Sequence, residues 1–431
     1  MGKYTALEKA ATVIAYAADV GYMGRTVENW LEAIFGKCGT VFLDKEMQIV
    51  MLAAAVGMAG VYIVSPIAAE MTLIFEMPLV RAGELITAYT VPSIILVPLM
   101  GMLSDRIGRR HVLVFGFFVF GIAGGAIGLV NDFSTVLVLR VIQGVGFAAL
   151  MPVSVAMIGD YYADIREATA QGVRIVGMQS VALVAPLTAS GLLIVSWRAP
   201  FILYFVAIFA AWWTWRVLPP DIKVVREPGG IYMSRLYKSM VRLDIAAVSV
   251  SFIIRFMMSF AFFAYVSLLV LEKFQYGAFE AGVIVTSYGI LTLIGAAQSG
   301  RLMARFDPLV LLGISLFTTG VGLAAIGASS SFTMLMFALV IFSVGASVSA
   351  PIQKSLMVRF SPPELRGGTI STAMAAQSFG QAAGPFLMGI LLYRGTVSIT
   401  FVRIGLVLGG IGLILAFIIR FARGRETSLF I

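Results

Sequence analysis

The sequence predicts an all-α polytopic membrane protein of twelve transmembrane helices, with an N-terminal amphipathic helical segment in front of them. Three observations predict it. Of 431 residues, 60% are hydrophobic and only 12% are charged, where a soluble domain carries about 25% charge. Apolar runs long enough to cross a hydrocarbon core of about 30 Å recur along the chain. The chain also repeats itself at a constant offset of 199 residues, as from Gly101 to Gly300. The same offset relates Gly83 to Gly282, Tyr89 to Tyr288, Leu103 to Leu302, Arg106 to Arg305, Gly146 to Gly345, Pro152 to Pro351 and Pro186 to Pro385. A register held without a gap over that length is a duplication of six spans in parallel orientation.

Residues 1–45 stand outside the repeat. Val27, Trp30, Leu31, Ile34 and Phe35 recur at helical spacing, with Glu28, Asn29 and Glu32 on the other side. That pattern is an amphipathic helix lying on a membrane surface. The first half then runs through spans at 49–70, 83–103, 111–130, 133–158, 168–195 and 199–218. Residues 219–243 form a linker, opened by Pro219-Pro220 and carrying Pro228-Gly229-Gly230. The second half places spans at 244–271, 277–300, 309–328, 331–357, 367–393 and 396–421. The expected units are therefore 1–45, 46–218, 219–243, 244–421 and a tail at 422–431.

Charge sorts by side. Of 31 Lys and Arg, 24 fall at the termini and in the loops at 104–110, 160–174, 216–242, 301–305, 354–366 and 420–425. The opposite side keeps Arg81, Arg198, Lys273 and Arg394. The positive-inside rule puts both termini in the cytoplasm, across the cytoplasmic membrane. The net charge of +9 thus reads as contact with anionic lipid, not with nucleic acid. A single cysteine, Cys38, excludes an internal disulfide framework, and a single histidine, His111, excludes a histidine-rich metal site. No phosphate-binding Gly-x-x-x-x-Gly-Lys-Ser/Thr sequence is present, and no cofactor is expected. No nucleophile–base or metal constellation is visible either, so an enzyme is not expected.

Residues 101–110 read Gly-Met-Leu-Ser-Asp-Arg-Ile-Gly-Arg-Arg between two spans. Gly101, Leu103, Asp105, Arg106, Gly108, Arg109 and Arg110 closely resemble the signature of the major facilitator superfamily in the loop between its second and third helices. The resemblance covers residues 46–421. It implies two six-helix bundles that rock about a site near the membrane midplane. It also implies a gating latch: Asp105 faces the start of the eleventh span near Gly367, Gly368 and Thr369, and Arg109 pairs with Asp160. The second copy has Ala304 where the acid stood, which makes the latch one-sided.

Three arginines lie inside spans: Arg140, Arg255 and Arg403. An arginine in a membrane is costly and faces protein or water. Arg140, followed by Gln143, Gly144 and Gly146, resembles a second family motif tied to proton coupling. Arg255 lies near the middle of the seventh span and points to an anion-friendly cavity. Arg403 sits near the outer end of the twelfth and reads as snorkelling. Tyr62, Tyr89, Gln179, Phe256, Phe260, Tyr288 and Gln377 are the remaining cavity candidates. Pro186, and Gly380, Gly384 and Pro385, resemble the glycine-proline motif of the drug:proton antiporter branch; tight helix packing accounts for them equally. No Asp or Glu lies deep within a span. Glu70, Glu84 and Glu272 are at outer edges, Asp160 and Asp244 at inner ones.

The expected function is secondary transport of a small neutral or anionic amphiphilic organic compound, proton-coupled efflux by family resemblance, from a monomer. The alternatives are uptake or facilitated diffusion of an organic anion, and a receptor or scaffold that kept the fold without transport.

Overall fold

The computed structural model describes residues 41–162, 164–219, 242–361 and 366–428. The expected amphipathic helix before residue 41, most of the 219–243 linker and the last residues of the tail lie outside them. Among the described residues every regular element is helical. The first half comprises α1 Lys45–Ile74, α2 Leu79–Ile107, α3 Arg109–Leu129, α4 Phe133–Tyr161, α5 Asp164–Val195 and α6 Ala199–Val217. The second comprises α7 Leu243–Phe274, α8 Ala278–Arg305, α9 Pro308–Ala328, α10 Phe332–Phe360, α11 Arg366–Leu392 and α12 Val397–Ser428. Eleven of these are long and apolar enough to cross a membrane, and α11 stands in the place of the twelfth.

Local chemistry repeats with the sequence. Asp132 caps α4 by accepting from the Thr135 amide at 2.8 Å, and Ser331, its partner 199 residues on, caps α10 by accepting from the Met334 amide at 3.2 Å. Each cap satisfies an amide that the first helical turn leaves open. Pro152 lies inside α4 and Pro351 inside α10; Pro186 lies inside α5 and Pro385 inside α11. In α1 the regular helix stops at Tyr62, and a 3-10 turn with Pro66 near its start, Ser65–Ile67, leads to a short last helix.

Packing repeats as well. Within the first half α1 lies on α5, α2 on α4, α3 on α4 and α3 on α6. The second half has α7 on α11, α8 on α10, α9 on α10 and α9 on α12. The halves meet along two matched seams, α2 against α11 and α5 against α8. That is a pseudo-twofold arrangement of two six-helix bundles.

One set of expected boundaries needs correction. α5 and α7 are 32 residues long and α10 is 29. At 1.5 Å per residue, 32 residues give about 48 Å, well beyond a core of about 30 Å. Arg174 and Lys354, counted with the loop charges although inside the expected spans 168–195 and 331–357, lie within α5 and α10, which run a few residues further than expected. A helix does not end where its hydropathy falls if the polar side chains face a hydrated space between bundles.

Candidate functional site

The end of the molecule that carries residues 104–110 is called the loop end. There Gly108 adopts φ 100° and ψ 151°, so α2 stops and α3 starts at the next residue. A side chain at this φ would be strained, which explains glycine at the corner. The corner aims Arg109 back into its own bundle. Arg109 forms an ion pair with Asp105, and its Nε donates to Asp160 Oδ2 at 2.9 Å. It also donates to Ser104 Oγ at 2.5 Å. Arg110 turns the other way, donates to the Trp215 carbonyl at 2.7 Å and lies 3.9 Å over the Trp215 ring. Arg106 is exposed, and Gly101 faces Pro152 of α4 at ordinary contact distance. The loop thus ties α2 to α3, α4 and α6. The surroundings of Gly367 and Gly368, where Asp105 was expected to reach, lie outside the described side chains; Thr369 is buried and hydrogen-bonded to Ser361. Just past α4, Tyr162 donates to Asp44 Oδ2 at 3.0 Å, and burial followed by that carboxylate pushes its phenol pKa well up.

Arg140 is 1% exposed and spends its donors inside the first bundle. Nε donates to the Leu85 carbonyl at 2.9 Å, Nη1 to Gln143 Oε1 at 2.7 Å and Nη2 to the Gly60 carbonyl at 2.7 Å. Gly60 sits two residues before the regular helix of α1 stops. The guanidinium also lies over the Tyr89 ring at 4.7 Å. Arg140, Gln143 and Tyr89 form one buried knot of α1, α2 and α4, and none of them opens onto the space between bundles in this state.

The far end is sealed between bundles. Ser65 donates to the Phe263 carbonyl at 2.6 Å, and Tyr265 to the Val80 carbonyl at 3.0 Å. Ser267 Oγ accepts from the Ala69 amide at 3.3 Å, and Ser190 donates to the Ala278 carbonyl at 2.8 Å. Tyr62 meets Phe263 edge-on with centroids 5.3 Å apart, and Phe263 meets Tyr288 at 5.2 Å. Nearer the middle, Gln179 donates to Thr292 Oγ1 at 2.8 Å. Tyr62 and Gln179, proposed from sequence as cavity residues, thus lie at contacts between the bundles, and Tyr288 packs behind Phe263.

Toward the loop end both bundles carry cations within their helices. Arg255 Nε donates to Gln353 Oε1 at 2.8 Å, and Gln353 Nε2 donates to Ser251 Oγ at 3.0 Å. The Arg255 guanidinium lies 3.9 Å from the Phe256 ring centroid, and Phe260 stacks one turn on, 6.1 Å from Phe256. In the other bundle Arg174 Nε donates to Ser154 Oγ at 3.0 Å. Lys354 follows Gln353 on α10 and is exposed. Gln377 is half-buried on α11, and Arg403 is exposed on α12. Sequence reasoning found Arg255 and missed Arg174 and Lys354. The available signal was Gln353, a polar partner to Ser154 at the 199-residue offset.

The glycine-proline stretches serve contact. A Cβ at Gly384 would sit 2.3 Å from the Met257 carbonyl oxygen, and one at Gly380 2.5 Å from that of Ile253. Pro186 lies on the α5–α8 seam, its carbonyl accepting from Ser190 at 2.8 Å.

Two six-helix bundles packed in the same pattern and joined by hydrogen bonds at one end have the architecture of a secondary transporter of the alternating-access type. The sequence profile of the Major Facilitator Superfamily matches residues 50–230 and 247–429. The chain belongs to that family. It is 37% identical to the multidrug transporter protein MdtP of Bacillus subtilis, over 22% of this chain and 18% of that protein. It is 24% identical to the quinolone resistance protein NorA of Staphylococcus aureus, over 77% of this chain and 86% of that one. The human organic anion transporter MFSD10 superposes with a TM-score of 0.66 at 16% identity, covering 86% of this chain and 99% of that one.

Proposed function

We propose that the protein exports a small amphiphilic organic anion across the cytoplasmic membrane by alternating access, with protons moving the opposite way. The observation that carries the reading is the basic floor of the cavity: Arg174, Arg255 and Lys354 at one level, with the acids of the described spans confined to span ends. A cavity lined by one sign of charge concentrates ligands of the other. The positive-inside rule makes the loop end cytoplasmic, so this state loads from inside the cell, as an exporter requires. The names of MdtP and NorA support efflux, and the branch they resemble supports protons as the driving ion.

The loop from Gly101 to Arg110 serves as the gate. Asp105, Arg109 and Asp160 hold α2, α3 and α4 as one rigid piece, which docks on the second bundle when the loop end closes. Rocking then exchanges two packed states whose populations the ligand shifts. Uptake of an organic anion is the second reading, favoured by the lack of a carboxylate midway along any described span, where a proton carrier would sit.

Inside-out vesicles decide between them. Carboxyfluorescein accumulates in vesicles with an acidic lumen and leaks back when the gradient is collapsed. Equal accumulation of ethidium would remove the anion reading. Equilibration that ignores the gradient would leave facilitated diffusion instead of antiport.

A further inference from the structure

The two cavity arginines are held in the same way from opposite sides. Ser154 on α4 accepts from Arg174 Nε, and Gln353 on α10 accepts from Arg255 Nε. Residues 154 and 353 are separated by the repeat offset of 199, so both anchors lie at one depth in their bundles. Seven residues separate each anchor from the loop-end terminus of its helix, about 10 Å at 1.5 Å per residue. The arginines themselves come from unrelated repeat positions, one on α5 and one on α7. Anchoring through Nε fixes each guanidinium plane. It leaves the paired terminal nitrogens, the fork that grips a carboxylate through two parallel hydrogen bonds. Among the described residues no oxygen takes those terminal nitrogens: Arg255 has none, and Arg174 Nη2 meets only Met151 Sδ at 3.7 Å.

Lys354 adds a third, exposed cation beside the Gln353 anchor, and it makes no hydrogen bond or ion pair among the described residues. Three positive charges contributed by both bundles and unopposed at their own level repel across the gap. One negative charge leaves most of that repulsion in place. Two negative charges on one molecule reach both forks and replace repulsion between bundles by attraction to a shared partner. Phe256, half-buried beneath Arg255, offers its face to the apolar body of such a molecule.

We propose that Arg174, Arg255 and Lys354 form one site for an organic dianion, bound between the bundles, whose occupation is what allows the loop end to close. The proposal rests on the anion-export reading and narrows it from any organic anion to a doubly charged one.

Calorimetric titration of the purified full chain with phthalate, benzoate and benzamide tests it. At neutral pH these carry two, one and no charges on similar rings. Phthalate is expected to bind about tenfold more tightly than benzoate, the effect of one further charge-assisted contact, and benzamide not to bind. Lys354→Gln, at an exposed position that folding tolerates, removes most of that preference, and Lys354→Arg restores it. Arg174→Lys, which keeps the charge but not the fork, weakens phthalate more than benzoate. Equal affinity of the wild-type protein for phthalate and benzoate would overturn the dianion site while carboxyfluorescein export continued. A phthalate preference untouched by both Lys354→Gln and Arg174→Lys would overturn the assignment to these residues. Tighter benzamide binding, with carboxyfluorescein export absent, would overturn the anion reading beneath it.

Discussion

Gly384→Ala isolates the contact between α7 and α11. The added Cβ would stand 2.3 Å from the Met257 carbonyl oxygen and 2.8 Å from its Cα. Contacts under about 3 Å at Cβ do not persist, and both neighbouring atoms are backbone, so no side chain can swing away. The two helices must part by about an ångström, against a core packed like an organic crystal. Overpacking of this kind costs about 1–3 kcal/mol. The exchange also removes a helical glycine, a gain of up to about 1 kcal/mol. Gly410 supplies the control, because a Cβ there meets nothing within 4 Å. Gly410→Ala therefore collects the propensity gain alone. The difference between the two variants reports the overpacking by itself, about 1–3 kcal/mol. Heating in detergent followed by size-exclusion chromatography ranks them: Gly384→Ala loses its folded peak below the wild type, and Gly410→Ala at or above it. Equal midpoints for the two variants would refute the close approach and return the glycine-proline stretch to a role in transport alone.

Arg140→Met strips a donor from the carbonyls of Leu85 and Gly60 and from Gln143. Each buried acceptor left open costs about 1–3 kcal/mol, so the variant is expected to be severely destabilised; a variant as stable as wild type that has lost anion binding would place Arg140 in the cavity instead. Asp105→Asn and Asp160→Asn each weaken one partly exposed pair with Arg109, worth at most about 1 kcal/mol. Stability should hardly change while export slows, and unaltered thiol-labelling of engineered cysteines on both faces would count against the gate. Asp132 and Ser331 make a matched pair of caps, only one of them ionisable. Hydrogen bonds from Thr135 hold the Asp132 carboxyl below the usual aspartate range. A lowered folded pKa stabilises above the unfolded value, and that contribution is lost as pH falls through the folded one. The stability deficit of Asp132→Ala against wild type should therefore shrink in acid, while that of Ser331→Ala stays level; an Asp132→Ala deficit unchanged in acid would show that the carboxylate charge is irrelevant to the cap.

The architecture was legible in the chain because the membrane imposes it. Every spanning segment must satisfy its own backbone, so apolar length reads directly as helix. The 199-residue register then carried over into matched caps, matched prolines and matched seams. Gly108 was legible only as part of the signature loop; its corner at positive φ, which few residues other than glycine adopt, came from the structure. Tertiary structure decided which polar side chains see water. The charge count grouped Arg174 and Lys354 with the adjoining loops, because they sit near the ends of their expected spans. The helices run on past that point, with Arg174 buried against Ser154 and Lys354 exposed. Conversely, Arg140 looked like a cavity residue by its cost in lipid, but two carbonyls near its helix and the Gln143 side chain absorb its donors. The face a helix presents depends on what its neighbours bury, and no pattern within one helix records that. The sequence alone thus determined the family, the repeat and the signature loop; only the packing of the helices decided which polar side chains are buried and against what.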